Sequence, residues 1–246
     1  YSQMLVQTFM LTIVYAVIGV YFPLLASEQA LGNNNDFAKN IKELMQYVLF
    51  LILPAACGFI ILRYDIMDFL LNWRQNAGTD IIMAGNMLGI YSIGMLAISF
   101  KEVLDRAFYA GKDTKTPAFF GLGIMLVNIT VTLLLVDHLG VYAMPIANGI
   151  SVFFGAGGLF AKLIKKVKLL DFRFIFVIFR NVLAAALMAF AVYIARDYIS
   201  TLFMGYGMFI KLTRLMLSAV TGAFVYFAAC FLLRLPVIYM IIKRGK

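Results

Sequence analysis

Seven runs of predominantly apolar residues divide this chain: 5–26, 46–71, 82–104, 117–136, 141–161, 174–195 and 212–234. An α-helix rises about 1.5 Å per residue, so roughly 20 apolar residues cross the hydrocarbon core of a bilayer. Each run meets that length. The runs are continuous rather than alternating, which predicts helices and not the strands of a membrane barrel. Only 13% of the residues are charged and 63% are hydrophobic, whereas a soluble domain carries about 25% charged residues. The expected fold class is therefore all-α: a polytopic transmembrane helix bundle of about seven spans. One membrane domain is expected over 1–246, with a truncated first span at 5–26 and a C-terminal part, 174–246, made of the last two spans and a basic tail.

The same sequence excludes most catalytic chemistry. His138 is the single histidine, and Cys57 and Cys230 both sit inside apolar runs, where free cysteine behaves as a small hydrophobe. No cysteine or histidine spacing suits a metal. A Walker motif is absent, as is a pair of carboxylates on a loop that could hold a metal for group transfer. No catalytic residue, metal centre or cofactor is expected. The absent acidic and histidine motifs argue against a membrane-embedded lipid-modifying enzyme, and a non-catalytic assembly scaffold is a further alternative. The net charge of +9 is read as a topology signal rather than as nucleic-acid binding.

Orientation follows from where the cations fall. If the first span ends in the cytoplasm, Lys39, Lys42, Lys101, Arg106, Lys112, Lys115, Lys162, Lys165, Lys166, Lys168, Arg173, Lys243, Arg244 and Lys246 are cytoplasmic, and Arg180 and Arg234 lie in the inner halves of their spans. Arg63, Arg74, Arg196, Lys211 and Arg214 fall on the other side. Sixteen of the 21 cations are then inside, and the positive-inside rule places the C-terminus in the cytoplasm. Segment 35–45 carries Phe37, Ile41, Leu44 and Met45 on one helical face and predicts a short amphipathic helix in the interface. The tail 235–246 has a similar pattern ending in Lys243, Arg244 and Lys246, suited to anionic lipid.

Several smaller features constrain the spans. Gly85 and Gly89 are spaced for close helix approach, and Gly155, Gly157 and Gly158 cluster in the fifth run. Pro54 and Pro145 are expected to kink their helices. Lys101, Glu102, Asp105 and Arg106 crowd one end of the third run, with Lys101 and Asp105 one turn apart. They make either a paired helix end or a cation facing an anionic headgroup. Arg180 either snorkels to the interface or lines a lipid groove.

The stretch 104–117 reads as a helix end, a tight turn and a helix start. Gly111 suits the left-handed closing position, Thr116 the N-cap and Pro117 the first turn. The string Arg106-Ala-Phe-Tyr-Ala-Gly-Lys-Asp-Thr-Lys-Thr-Pro117 resembles the signature loop of the MurJ/MviN family of lipid II flippases, members of the multidrug/oligosaccharidyl-lipid/polysaccharide exporter superfamily. Tyr21-Phe-Pro-Leu-Leu-Ala-Ser27 and Leu53-Pro-Ala-Ala-Cys-Gly58 resemble that family's flanking segments.

The resemblance implies the C-terminal half of a fourteen-span transporter of the bacterial cytoplasmic membrane, lacking its N-terminal half. The implied activity is alternating-access translocation of undecaprenyl-pyrophosphate-linked peptidoglycan precursor. The alternative is a related exporter of other lipid-linked oligosaccharides. It further implies a cytoplasmic gate built from Arg106, Phe108, Tyr109, Asp113, Thr114, Lys115, Thr116 and Pro117. The last two spans would shape a polyprenyl-tail groove, and Lys101 and Arg180 would contact headgroup or lipid. The implied partners are lipid II or another polyprenyl-linked glycan, membrane lipids and a coupling ion, Na⁺ or H⁺. Some family members hold sodium where Asn128, Thr132 and Asn148 fall here, although Thr132 replaces an acidic ligand. These three residues serve either that site or plain interhelical hydrogen bonds.

Overall fold

The structure, a computed structural model, describes residues 1–71, 78–167, 169, 171–203, 205 and 207–237. Its helices are α1 (Ser2–Ala30), α2 (Asn34–Ile61), α3 (Arg63–Leu71), α4 (Gly78–Ala110), α5 (Lys115–Leu139), α6 (Ala143–Lys166), α7 (Phe172–Leu202) and α8 (Met208–Leu232). Among the described residues, six continuous helical stretches are long and apolar enough to cross a membrane. One of them, Lys115–Lys166, is folded back by the 3₁₀ turn Gly140–Tyr142. It therefore crosses twice, and seven helices span. The ends of α1, α4, α6 and α8 share one face of the bundle with the start of α2 and the loop at 111–114, here the loop face. The opposite end, where α3 lies, is the α3 face.

The second apolar run departs from expectation in two ways. It is not one span over 46–71, because the helix breaks at Leu62 and restarts as α3. The segment 35–45 is no separate interfacial helix either: it forms the opening turns of α2, capped by the Asn33 side chain accepting from the Asp36 amide. Phe37, Ile41, Leu44 and Met45 are all buried, on the same stripe as Val48 and Ile52. Their apolar face packs on protein, against α1 and α4, rather than on lipid.

Two apolar clusters make the interior. The larger gathers the buried faces of α1, α2, α4 and α6, with Met10, Ile41, Met95 and Leu159 at its centre. The smaller joins the far side of α2 to the α7–α8 hairpin through Leu49, Ala184, Met188 and Tyr226. The Tyr226 hydroxyl donates to the Phe50 carbonyl at 2.7 Å, closing that contact with a satisfied polar group. Helix α5 is peripheral. Only Thr116 and Pro117 of it are buried, and its outward face of Phe119, Leu122, Leu126 and Leu133 suits lipid.

Small residues decide how the helices meet. A Cβ on Gly158 would stand 2.1 Å from the Phe120 ring, and one on Gly155 would stand 2.2 Å from Ile124. Those two notches are how α5 seats on α6. Gly85 and Gly89 do not admit a helix backbone; they admit the Tyr64 ring and the Arg63 side chain of α3. Pro54 lies inside α2, but Pro145 sits in the first turn of α6. A missing N–H costs nothing there, so the expected kink at Pro145 is corrected.

Candidate functional site

The signature loop closes α4 in a Schellman motif. The Asp113 amide donates to Phe108 O at 3.0 Å and the Lys112 amide to Tyr109 O at 2.9 Å. The left-handed residue is Lys112, with φ 56°, and not Gly111 as the sequence suggested. A cation at a helix C-terminus is favoured by the dipole, which offsets part of the backbone strain. Arg234, φ 49°, closes α8 in the same way.

The next helix is also capped differently from expectation. Thr116 is not the N-cap: α5 starts at Lys115, behind Thr114. Asp113 does the capping, its carboxylate accepting from the Thr116 amide and from the Thr116 hydroxyl, both at 3.0 Å. Two lysines of α6, one turn apart, then bind the turn. Lys166 meets Asp113 at 2.8 Å and Lys162 donates to Thr116 Oγ1 at 3.1 Å. The Lys166 ammonium and, after it, the Thr116 amide hold the Asp113 carboxyl well below the usual range, at about 2. Phe108 is buried behind the loop with Lys166 over its ring at 5.1 Å, while Tyr109, Thr114 and Lys115 are exposed.

The neighbouring end of α4 carries a charge cluster. Lys101 meets Asp105 at 2.6 Å and Glu102 at 3.7 Å. Arg106 reaches Glu102 at 4.0 Å and lies over the rings of Tyr15 and Tyr109. Asp105 is 6% exposed, and its second oxygen has no partner among the described residues. Lys101 and Arg106 are thus engaged within the helix end. Arg180, half-buried on α7, rests over the Phe176 ring at 4.2 Å.

The three residues considered for a cation are only partly assembled. Asn128 Nδ2 donates to Ser151 Oγ at 3.4 Å, and Ser151 donates to the Asn148 carbonyl at 2.9 Å. Ser151, fully buried and not singled out from the sequence, is the joint between α5 and α6. It lies three residues from Asn148 on the same face, the spacing that could have disclosed it. Thr132 enters no hydrogen bond among the described residues. Asn128, Thr132 and Asn148 bring together neutral groups and no carboxylate, and Asn128 and Asn148 are joined through Ser151. The arrangement is an interhelical hydrogen-bond chain.

A second region is apolar. A groove of about 410 Å³ runs between α1, α2 and the α7–α8 hairpin, lined by residues such as Phe59, Pro54, Met188, Ala219, Gly222 and Phe227. Small residues on α8 keep it open, and Ser218 and Tyr226 are its hydroxyl-bearing residues among those described.

Seven membrane-length helices, a loop latched by lysines at one face and an apolar groove in the side define a polytopic helical membrane bundle. The family described as "Lipid II flippase MurJ" matches residues 1–214, and the chain belongs to that family. A "Probable lipid II flippase MurJ" of Rhizobium meliloti is 31% identical over 186 residues, covering 75% of this chain and 35% of that protein. One of Thermotoga maritima is 28% identical over 230 residues, covering 94% of this chain and 45% of that protein. Among solved structures, "Lipid II flippase MurJ, inward closed conformation" superposes with a TM-score of 0.73 at 18% identity, over 95% of this chain and 47% of that one. The chain spans less than half the length of these relatives, and the structural likeness establishes the fold.

Proposed function

We propose that this chain is one lobe of a lipid II flippase of the bacterial cytoplasmic membrane, working with an N-terminal lobe to carry a polyprenyl-pyrophosphate-linked glycopeptide across the bilayer. The observation that carries this reading is the apolar groove between α2 and the α7–α8 hairpin, on a chain of this family. A polyprenyl tail is itself apolar, so it can stay in a side groove while the polar headgroup passes between two lobes. The tail would leave lipid rather than water to enter it, so packing against the groove walls, and not hydrophobic transfer, would hold it there.

The cation asymmetry supports a cytoplasmic loop face, with α3 on the outer side. The C-terminus is then cytoplasmic. The 106–117 loop acts as a gate element on the cytoplasmic side, hinged at the Schellman turn and latched to α6 by Lys162 and Lys166. Transport is driven by an ion gradient or the membrane potential rather than by a covalent step, and the chain is a transporter and not an enzyme.

The test is complementation. The full gene is expressed in cells depleted of their own lipid II flippase, beside a variant in which Ala219→Trp and Ala223→Trp fill the groove. Growth with the full gene and none with the groove-filled variant, at equal membrane levels, is the expected result. Growth with both would remove the groove from the mechanism.

A further inference from the structure

The α7–α8 hairpin is joined to the rest of the lobe almost wholly through α2, by the smaller apolar cluster. At the α3 face a second, polar connection exists. Asp65 of α3 pairs with Arg196 near the end of α7, and Asp68 of α3 pairs with Lys211 in the first turn of α8 at 2.7 Å. These are contacts across more than a hundred residues of chain, made by a helix of only nine residues.

The other side of α3 is fixed. Tyr64 and Arg63 fill the notches at Gly85 and Gly89 on α4, and the Tyr64 hydroxyl donates to Asn86 Oδ1 at 2.6 Å. Asn86 in turn donates to the Tyr142 hydroxyl at 3.5 Å. Helix α3 is thus anchored on α4 by Arg63 and Tyr64, while Asp65 and Asp68 reach the hairpin. Leu62 at the helix break and Ile66 of α3 line the apolar groove, facing Leu215, one turn beyond Lys211. The two ion pairs adjoin these lining residues along the chain: Asp65 precedes Ile66, and Lys211 lies one turn before Leu215.

We propose that α3 is a clasp: Asp65 and Asp68 position the α7–α8 hairpin and so set the width of the groove at its α3 end. All four charged side chains are partly exposed, between 14% and 38%. Pairs of that kind are weak and salt-sensitive, each shifting an equilibrium by no more than about fivefold. Two of them together give a clasp that closes the groove and still opens readily. The break at Leu62 matters for this role, since a continuous second span would carry residues 63–71 straight past the hairpin. This inference deepens the groove reading and rests on it only for what passes through the opening.

The experiment uses the full-length protein in nanodiscs. Hydrogen exchange of the peptides covering 196–219 reads the clasp, and retention of a fluorescent polyprenyl phosphate reads the groove. Asp65→Asn with Asp68→Asn should raise exchange in those peptides by about five- to tenfold, and 0.5 M salt should do the same to the unmodified protein. The swapped pair Asp68→Lys with Lys211→Asp should restore most of the Asp68 contribution, which a misfolded variant would not do. Increased exchange with altered probe retention supports the clasp and the groove reading together. Increased exchange with unaltered retention supports the clasp and overturns the groove as the tail site. Exchange unchanged within twofold in the neutralised variant overturns the clasp.

Discussion

Lys112 and Asp113 adjoin, and each departs from ordinary usage in the service of the same turn. Lys112 holds a left-handed backbone that costs a non-glycine residue about 1 kcal/mol. Lys112→Gly should therefore raise the thermal midpoint of the purified protein modestly, by the equivalent of roughly 0.5–1 kcal/mol. A lowered midpoint would mean that its charge at the α4 terminus matters more than its backbone. Asp113 caps α5 and receives Lys166, and Asp113→Ala should lower the thermal midpoint by the equivalent of about 1 kcal/mol through the lost cap, whereas Asp113→Asn keeps a capping oxygen and should cost less. The ion pair adds little because the Lys166 side chain is 54% exposed.

The pH dependence of the turn has a definite sign. The Asp113 carboxyl titrates at about 2 in the folded loop, against an ordinary 3.8. A depressed value stabilises the loop fully above the ordinary pKa, and the contribution fades as pH falls from about 4 towards 2. Exchange of the Thr116 amide should be flat from pH 7 to 5, after correction for intrinsic rates, and rise below 4. In Asp113→Asn that rise should be missing.

At the scale of elements, the glycine notches of α6 make the sharpest claim. Gly158→Leu would drive a side chain into Phe120 and should cost about 1–3 kcal/mol by overpacking. The loss should appear as detachment of α5, measured by protease access to the 111–114 loop, with α1, α2 and α4 unaffected. All seven spans were legible in the sequence, because length and apolar continuity alone specify a membrane helix. The break at Leu62 was not: Pro54 and Gly58 lie two turns and one turn before it, inside a helix that runs on past both, and the restart as α3 goes with what α3 docks against. The burial of Phe37 and Ile41 was invisible for a related reason. An amphipathic stripe looks the same whether lipid or protein covers it.

The candidate site was half legible. The string from Arg106 to Pro117 disclosed the loop, and charge spacing disclosed the Lys101–Asp105 pair. The partners from other helices were hidden: Lys162 and Lys166 for the loop, Ser151 for Asn128, and Arg196 and Lys211 for α3. Each is a tertiary contact that local spacing does not encode.

At the scale of the whole molecule, the lobe is a five-helix body with a two-helix hairpin hung on α2, pinned by Lys42–Asp171 at the loop face and by α3 at the other. A groove runs between hairpin and body, and the occupant proposed for it is a polyprenyl tail. The central claim is that this groove holds the tail of a lipid whose headgroup the complete transporter moves. The most direct measurement is translocation itself. The full-length protein is reconstituted in vesicles with headgroup-labelled lipid II, and a membrane-impermeant quencher reports the leaflet. The account predicts label transfer for the intact protein and its loss with Ala219→Trp and Ala223→Trp. Transfer by the groove-filled variant at the intact rate would contradict it.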